Sequence, residues 1–583
     1  MSPRSGRPSL ARVLTLLALA AALGSPLADA AQTHEYEALI LHPAGLANSE
    51  AVRIEPGTDE VVGSSWTRTH GDGRALLWTG AGTNVRALNP GTAYGSVGNG
   101  IGGGHVGGTV STLGVPHSLQ AWAWGTRSQS TTGVSLHPAG MAESAVYNAV
   151  GGQFVGWAGG QATSWAQHAM LWTSGESNAV VDLHPGHLSY LLSEASGIDR
   201  VRGQQVGSGS LITDVSSEPS AGGASFDIKT ERRALLWSGT AVSVVDLHPH
   251  GFDSSLALAA DDGQQVGYGT PAGGSGAHAL LWKGWAISAV DLHPSGFDES
   301  GAHGVRGGRQ VGTGRGATTG NELHALLWLG GPQTVVDLHA FLPAGYVASV
   351  ANDVDEHGNV VGSALTAGGE VHAVLWRRLP DLHSIWLQSG YVTQGGRYAE
   401  LLVFLDGPAA GDAYVELSSS DPAVARVPTH QTATGIFAGT IIPSGSTNTV
   451  DGIWVNPVAA QTVVTITATY RGASVSAGLT VVPASLSSVS LSPSKVTCGQ
   501  SSTGTVVLDG PAGPGGATVQ LSGTTTAASW PASVTVPANA DRATFSVRTS
   551  WNSPSANSTG SRTDTVTATY AGRTRQASLK CFR

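Results

Sequence analysis

Histidine and aspartate are the residues whose spacing first suggests chemistry. A Leu-His-Pro turn, or a relative of it, places His42, His137, His184, His248, His293 and His339 at near-regular intervals. Asp182, Asp246, Asp291 and Asp337 each stand two residues before one of these imidazoles. Such groups bind metals or move protons, but the spacing argues against both. One imidazole per repeat sets successive rings far apart around a periphery, whereas a metal ion needs its ligands within roughly 2 Å. The expectation is structural: proline stops a strand, histidine caps nearby backbone groups and aspartate makes a hydrogen bond. No metal site and no cofactor are expected. The chain has no His-Glu-x-x-His, Gly-x-Ser-x-Gly, P-loop or Cys-x-x-Cys motif, and no catalytic residue is assigned. The acidic run Asp353-Val354-Asp355-Glu356-His357-Gly358 lacks the downstream Glu of a calcium loop and reads as a turn.

Binding residues are sought where the repeat breaks. About 18 extra residues lie between Gly207 and Arg232, among them Asp214, Glu218 and Asp227. A long loop in a compact domain is either functional or a neutral insertion, since lengthening a loop costs little. His187, His250 and Trp157 are near it, with Trp165, Tyr190 and Phe252, and could form a sugar platform or pack between sheets. The candidate binding set is therefore Asp214, Glu218, Asp227, His187, His250 and Trp157.

The elements that position these residues come from a repeat. A Trp closes an apolar run at Trp78, Trp124, Trp172, Trp237, Trp282, Trp328 and Trp376, with gaps of 46, 48, 65, 45, 46 and 48 residues. Leu88-Asn89-Pro90 takes the place of Leu-His-Pro in the second repeat. A Val-Gly pair recurs at Gly63, Gly107, Gly156, Gly207, Gly267, Gly312 and Gly362. Each unit holds four short apolar runs bounded by turn residues, such as 300–305, 309–313, 323–328 and 334–338. Such runs read as strands, and four in about 45 residues match one propeller blade. Seven units predict seven blades, with strands a to d from the axis outward. The first Leu-His-Pro has no Leu-Leu-Trp before it and the last Trp no Asp-Leu-His after it. Residues 36–41 should therefore close the last blade by pairing antiparallel with 371–376, which removes an open sheet edge.

The run Ala351-Asn352-Asp353-Val354-Asp355-Glu356-His357-Gly358-Asn359-Val360-Val361-Gly362, followed by His372-Ala373-Val374-Leu375-Trp376, resembles the bacterial extracellular HAF repeats. His324-Ala325-Leu326-Leu327-Trp328 and Val336-Asp337-Leu338 fit the same pattern. The resemblance covers residues 36–378, with the first two repeats degenerate. It implies secretion and a propeller-like fold, and it assigns no chemistry to any residue.

The rest of the chain agrees with an exported, all-β protein. Charged residues make up only 12%, glycines number 80 and the net charge of −10 has no basic stripe, so nucleic acid is excluded as a partner. Residues 1–30 read as a signal peptide: Arg4, Arg7 and Arg12 precede the apolar run 13–23, and Ala28-Asp29-Ala30 is a cleavage site. No later membrane-spanning run follows. After residue 380, Thr465-Ile466-Thr467-Ala468-Thr469-Tyr470-Arg471-Gly472 returns as Thr565-Val566-Thr567-Ala568-Thr569-Tyr570-Ala571-Gly572. Phe404-Leu405-Asp406-Gly407-Pro408-Ala409 likewise returns as Val507-Leu508-Asp509-Gly510-Pro511-Ala512. Two β-sandwiches are predicted, at 381–483 and 486–583, resembling bacterial immunoglobulin-like modules. The only cysteines, Cys498 and Cys581, are expected to form a disulfide in the last one.

The fold class expected is thus all-β: a seven-bladed β-propeller over 31–378, closed by its N-terminal strand, then two immunoglobulin-like β-sandwiches. The expected function is that of a secreted or cell-surface, monomeric, non-enzymatic protein. Its propeller would bind a glycan or a cell-surface protein, and its sandwiches would act as spacer or attachment. The alternatives are a secreted enzyme acting on polysaccharide at the propeller axis, and a passive surface or matrix component.

Overall fold

The computed structural model describes residues 36–583 except 68–72, 81, 83, 92, 113–117, 127–132, 174–178, 221–222, 388–391, 433–434 and 552–559. The expected signal peptide lies outside the described residues. Among these residues the regular structure is strand, apart from short 3-10 turns. No helix among them is long and apolar enough to cross a membrane. The chain divides into two compact units, residues 1–378 and 379–583.

In the first unit the apolar runs of each repeat become the strands of one antiparallel four-stranded sheet. Among the described residues there are seven such sheets. The sixth is typical: Glu299–Arg306, Arg309–Arg315, His324–Trp328 and Val336–Asp337, hydrogen-bonded in that order. The seventh is completed from the other end of the repeat array. Tyr36–Ile40 pairs antiparallel with Val371–Arg378, Tyr36 opposite Arg378 and Ile40 opposite Val374. The expected pairing is present, set two residues further along than 371–376. First strands of successive sheets pack side by side, and that of the seventh packs on that of the first, so the sheets form a closed ring.

Two repeated devices hold the ring. The first is apolar. All seven repeat Trp residues are buried, and the clusters between sheets mix neighbours, as where Ala279 and Leu281 meet Ala302, Leu326 and Trp328. Each large ring removes some 150–250 Å² from water. The second device is a buried serine on each first strand. Ser49, Ser96, Ser144, Ser193, Ser255, Ser300 and Ser349 accept a hydrogen bond from the third strand of the preceding sheet. The donors are the backbone N–H groups of Ala373, Ala75, Ala121, Ala169, Ala234, Ala279 and Ala325, at 2.9–3.1 Å.

The repeated glycine has a definite task. Every first strand carries a β-bulge, in which one extra residue lies between two paired ones. The second strand must close up against it. A Cβ on Gly312 would stand 1.9 Å from the Gly301 carbonyl oxygen, and one on Gly267 would stand 1.9 Å from that of Leu256. In the second sheet this role falls to Gly108, one residue beyond the Val106-Gly107 pair, with 2.0 Å to the Val97 carbonyl oxygen. Gly312→Ala is expected to lower stability by about 3 kcal/mol, because backbone rather than a flexible side chain must move. Denaturant unfolding of the variant measures this, and a loss below about 1 kcal/mol would contradict it.

In the second unit, residues 382–482 and 486–582 each build two sheets over one core. The strand orders correspond. Leu382–Leu387, Arg397–Leu405, Asn448–Val455 and Ala425–Arg426 match Leu486–Ser492, Ser501–Leu508, Arg542–Thr549 and Ala528–Ser529. The recurring sequence motifs mark shared joints. Tyr470 pairs with Ala473 and Tyr570 with Arg573 across two-residue turns, whose Arg471, Gly472, Ala571 and Gly572 all have positive φ, as tight hairpins require. Asp406 accepts from the Asp381 N–H, and Asp509 from the Ser485 N–H, so each pins the entry to its module.

Cys498 and Cys581 form a disulfide, with Cα atoms 5.0 Å apart, beside a short parallel pairing of Lys495–Thr497 with Lys580–Phe582. Closing this long loop restricts the unfolded chain and contributes about 4 kcal/mol by the chain-entropy account. A Cys498→Ser, Cys581→Ser double variant should lose that stability in the last module alone. Unfolding followed by Trp530 and Trp551 fluorescence tests this.

Candidate functional site

The bulges bring chemistry to the axis. The extra residue at the bulge opposite the repeated glycine is Val52, Asn99, Tyr147, Ser196, Leu258, His303 or Asn352, one per sheet. All seven are half-buried, and all but Val52, which precedes the half-buried Arg53, lie between buried neighbours. Six of them line one cavity of about 460 Å³ together with Arg53, Glu194, Arg232, Leu256 and Tyr268. A smaller cavity of about 210 Å³ shares Tyr268 and His303. The wall positions are equivalent in fold and differ in chemistry.

The fourth sheet supplies an ion pair, and the first sheet adds the Arg53 guanidinium. Arg232 pairs with Glu194 Oε1 through Nη2. Ser208 Oγ donates to the same carboxylate oxygen at 3.2 Å and receives Arg232 Nε at 3.1 Å. The third sheet adds an aromatic support: Trp157 Nε1 donates to the Tyr147 hydroxyl at 3.0 Å. Burial raises the Tyr147 pKa, and the Glu194 charge raises it further, so this phenol stays a proton donor. His303 Nδ1 donates to the Ala351 carbonyl at 3.0 Å; burial, and then the Arg53 charge, hold its pKa below the usual range. Arg53 spends Nη1 on the carbonyls of Val52 and Asn352.

The six residues singled out from sequence do not line this cavity. The expected loop after Gly207 is a two-stranded hairpin, Gln205–Ser220 paired with Gly223–Trp237, because its residues alternate in β-compatible register up to Ser220 opposite Gly223. Asp214 is exposed on it, 3.6 Å from Lys229 Nζ, and Asp227 is exposed opposite Ser216. Glu218 lies opposite Ser225, and its side chain falls outside the described residues. His187 and His250 are exposed in the turns between sheets. Trp157 is a correction: it is 7% exposed, so it supports Tyr147 from behind and offers no platform. Trp165, 74% exposed, is the open aromatic of that region. The hairpin still bears on the site, because its root carries Ser208 and Arg232.

The axial residues have a regular spacing in the sequence. Val52, Asn99, Tyr147, Leu258 and His303 each lie ten residues after the His or Asn of the preceding turn; Ser196 and Asn352 lie twelve and thirteen after. A position that varies in type inside a conserved spacing is visible only once the bulge shows that it faces the axis.

The recurring histidines and aspartates are structural, as expected. His293 Nδ1 receives the Ser300 hydroxyl at 2.9 Å, and its Nε2–H meets the Phe297 carbonyl at 3.1 Å. His42, His137 and His248 make the same pair of bonds, and His184 and His339 the serine bond. A second imidazole stacks on four of them: His372 on His42, His168 on His184, His278 on His293 and His324 on His339, with centroids 3.9–4.1 Å apart. Asp182, Asp291 and Asp337 each hold one stacked ring at 2.8 Å. In the fourth sheet Arg233 takes the place of that ring, bound by Asp246 and Glu231. No group of three His, Cys, Asp or Glu side chains among the described residues is placed to hold a metal ion.

Burial, and after it the stacked neighbour, lower the pKa of His42, His184, His293 and His339 below 6.5. The unfolded chain then binds these protons more tightly than the folded one. Their contribution to stability is complete above about pH 6.5 and is lost as the pH falls below it. The melting temperature of the first unit should be level from pH 8 to 7 and drop between about pH 6.5 and 5. His293→Asn should flatten the drop, and a level profile in the unaltered chain would refute the assignment.

No family model matches the chain, and no curated protein does. Among solved structures, it is similar to the β-propeller domain of the Trilobed protease from Pyrococcus furiosus. That match has 12% identity and a TM-score of 0.38, over 57% of this chain and 95% of that one. It is also similar to titin domains z1z2 in complex with telethonin, with 12% identity and a TM-score of 0.18, over 35% of this chain and 96% of that one. A third is a β-glucuronidase of Parabacteroides merdae, with 15% identity and a TM-score of 0.12, over 35% of this chain and 25% of that one. Likenesses at this level say nothing about what the chain binds.

Proposed function

We propose that residues 36–378 are a seven-bladed β-propeller of HAF-like repeats, exported by residues 1–30, that binds a small polar ligand of glycan type at its axis. Residues 381–483 and 486–583 are then immunoglobulin-like spacer or attachment modules. The disulfide and the lack of a membrane-crossing helix among the described residues fit an extracellular setting. One observation carries the binding reading. The positions that build the ring repeat the same residue types, while the seven bulge positions carry six different types, and six of those positions surround a cavity within the usual size range for a small ligand.

Catalysis at the axis is less well supported. Glycosidic hydrolysis uses two carboxyl groups facing each other across the bond. Glu194 is the one carboxylate among the lining residues, and Arg232 neutralises it.

An array of glycans and envelope polymers against residues 31–583 tests the proposal. Saturable binding is expected, abolished by Ser196→Trp, which fills the axis, and retained when residues 211–229 are replaced by a short Gly-Ser link. Binding lost only with the hairpin would move recognition to that element. Shortened polymers would establish an enzyme, and silence throughout would leave a passive matrix role.

A further inference from the structure

We propose that the Glu194–Arg232 pair is the recognition element of the axial cavity, and that it grips two neighbouring hydroxyl groups of a neutral sugar ring. This rests on the reading of the cavity as a ligand site. The ion pair consumes only part of each group. Glu194 Oε1 is engaged by Arg232 and Ser208, whereas Oε2 has no hydrogen-bond partner among the described residues. Arg232 uses Nε and Nη2, which leaves Nη1 in the same position. An acceptor and a donor are therefore held beside each other, by their own attraction, on two residues of the cavity wall.

The other wall groups continue that alternation. Tyr147 accepts from Trp157, so its own proton is available to a ligand. The Tyr268 hydroxyl makes no bond among the described residues. Asn99 commits its amide nitrogen to the Val146 carbonyl at 2.7 Å, leaving its oxygen as an acceptor. His303 donates through Nδ1, leaving Nε2 as an acceptor on a ring that burial keeps neutral. These donors and acceptors, with Ser196 and Arg53 also in the wall, surround apolar patches from Val52, Leu256 and Leu258.

A hydroxyl group both gives and takes a hydrogen bond, so a polyol satisfies such a wall from any side. A carboxylate ligand would face Glu194 Oε2, Asn99 Oδ1 and His303 Nε2, acceptors to which it has no proton to donate, and an ammonium would face Arg232 and Arg53. A sugar ring also presents C–H faces to tyrosine rings and aliphatic side chains. Charge-assisted bonds from Glu194 and Arg232 are the strong ones, which makes this pair the anchor.

The test is titration calorimetry on residues 31–583 with D-glucose, D-galactose, D-mannose, D-xylose and N-acetyl-D-glucosamine, beside D-glucuronate and D-galacturonate. At least one neutral sugar should bind saturably, and its uronate at least tenfold more weakly. Glu194→Gln and Tyr147→Phe preserve shape; each should weaken the sugar at least tenfold while the chain keeps a cooperative thermal unfolding transition, lowered in Tyr147→Phe because the Trp157 N–H loses its acceptor. Sugar binding that neither variant alters, or a preference for uronates, overturns the inference. If no sugar binds while Ser196→Trp still abolishes binding of another array ligand, the inference falls and the axial-site reading stands. If Ser196→Trp changes no binding at all, both fall.

Discussion

The first unit depends on one buried hydroxyl used seven times. A first strand lies against the third strand of the neighbouring sheet, whose alanine N–H would be left without a partner in a dry interface. An unpaired buried donor costs about 1–3 kcal/mol, so the serine is obligatory there. Its own proton must then go somewhere. In six sheets a histidine nitrogen accepts it, and where the second repeat has Asn89 the Ser96 hydroxyl turns to the Leu88 carbonyl at 2.8 Å. The Leu-His-Pro turn is thus the outer half of a joint whose inner half is serine. Each joint links successive sheets, and the last, Ser49 with Ala373, closes the ring.

The same framework decides where variety is tolerated. The glycine of the second strand lets the first strand bulge, and the bulge turns one residue per sheet toward the axis without disturbing its paired neighbours. Packing demands hold at the serine, the alanine, the glycine and the tryptophan. They relax at the bulge residue, whose side chain is half-buried and in six of the seven sheets lines the cavity. That separation explains how valine, asparagine, tyrosine, serine, leucine, histidine and asparagine occupy one structural position. The fourth sheet goes furthest: Glu194 and Arg232 enter the wall, Arg233 replaces the stacked imidazole, and the hairpin extends both strands outward.

The second unit follows a simpler logic. Alternating buried and exposed residues make two-sheet modules, an aspartate clamps each entry and a two-residue turn closes the last hairpin. Only the last module adds a covalent tie, from its opening segment to its final strand.

Sequence alone determined the repeat, the count of four strands per unit, closure by the N-terminal strand, the structural nature of the recurring His and Asp, and the cysteine pair. These follow from local patterns: apolar runs, turn residues and fixed spacing act over a few residues and leave a direct mark. Tertiary structure decided the site. Trp157 was legible as a large aromatic, but whether it faces solvent or the back of Tyr147 depends on the next strand. The long insertion was legible as extra residues, but its pairing into a hairpin depends on register. Tyr147, Glu194, Arg232, Tyr268 and His303 come from four sheets, and no short-range rule joins them. They meet because a bulge in each strand and closure of the whole ring place them around one axis, a constraint written across more than 300 residues.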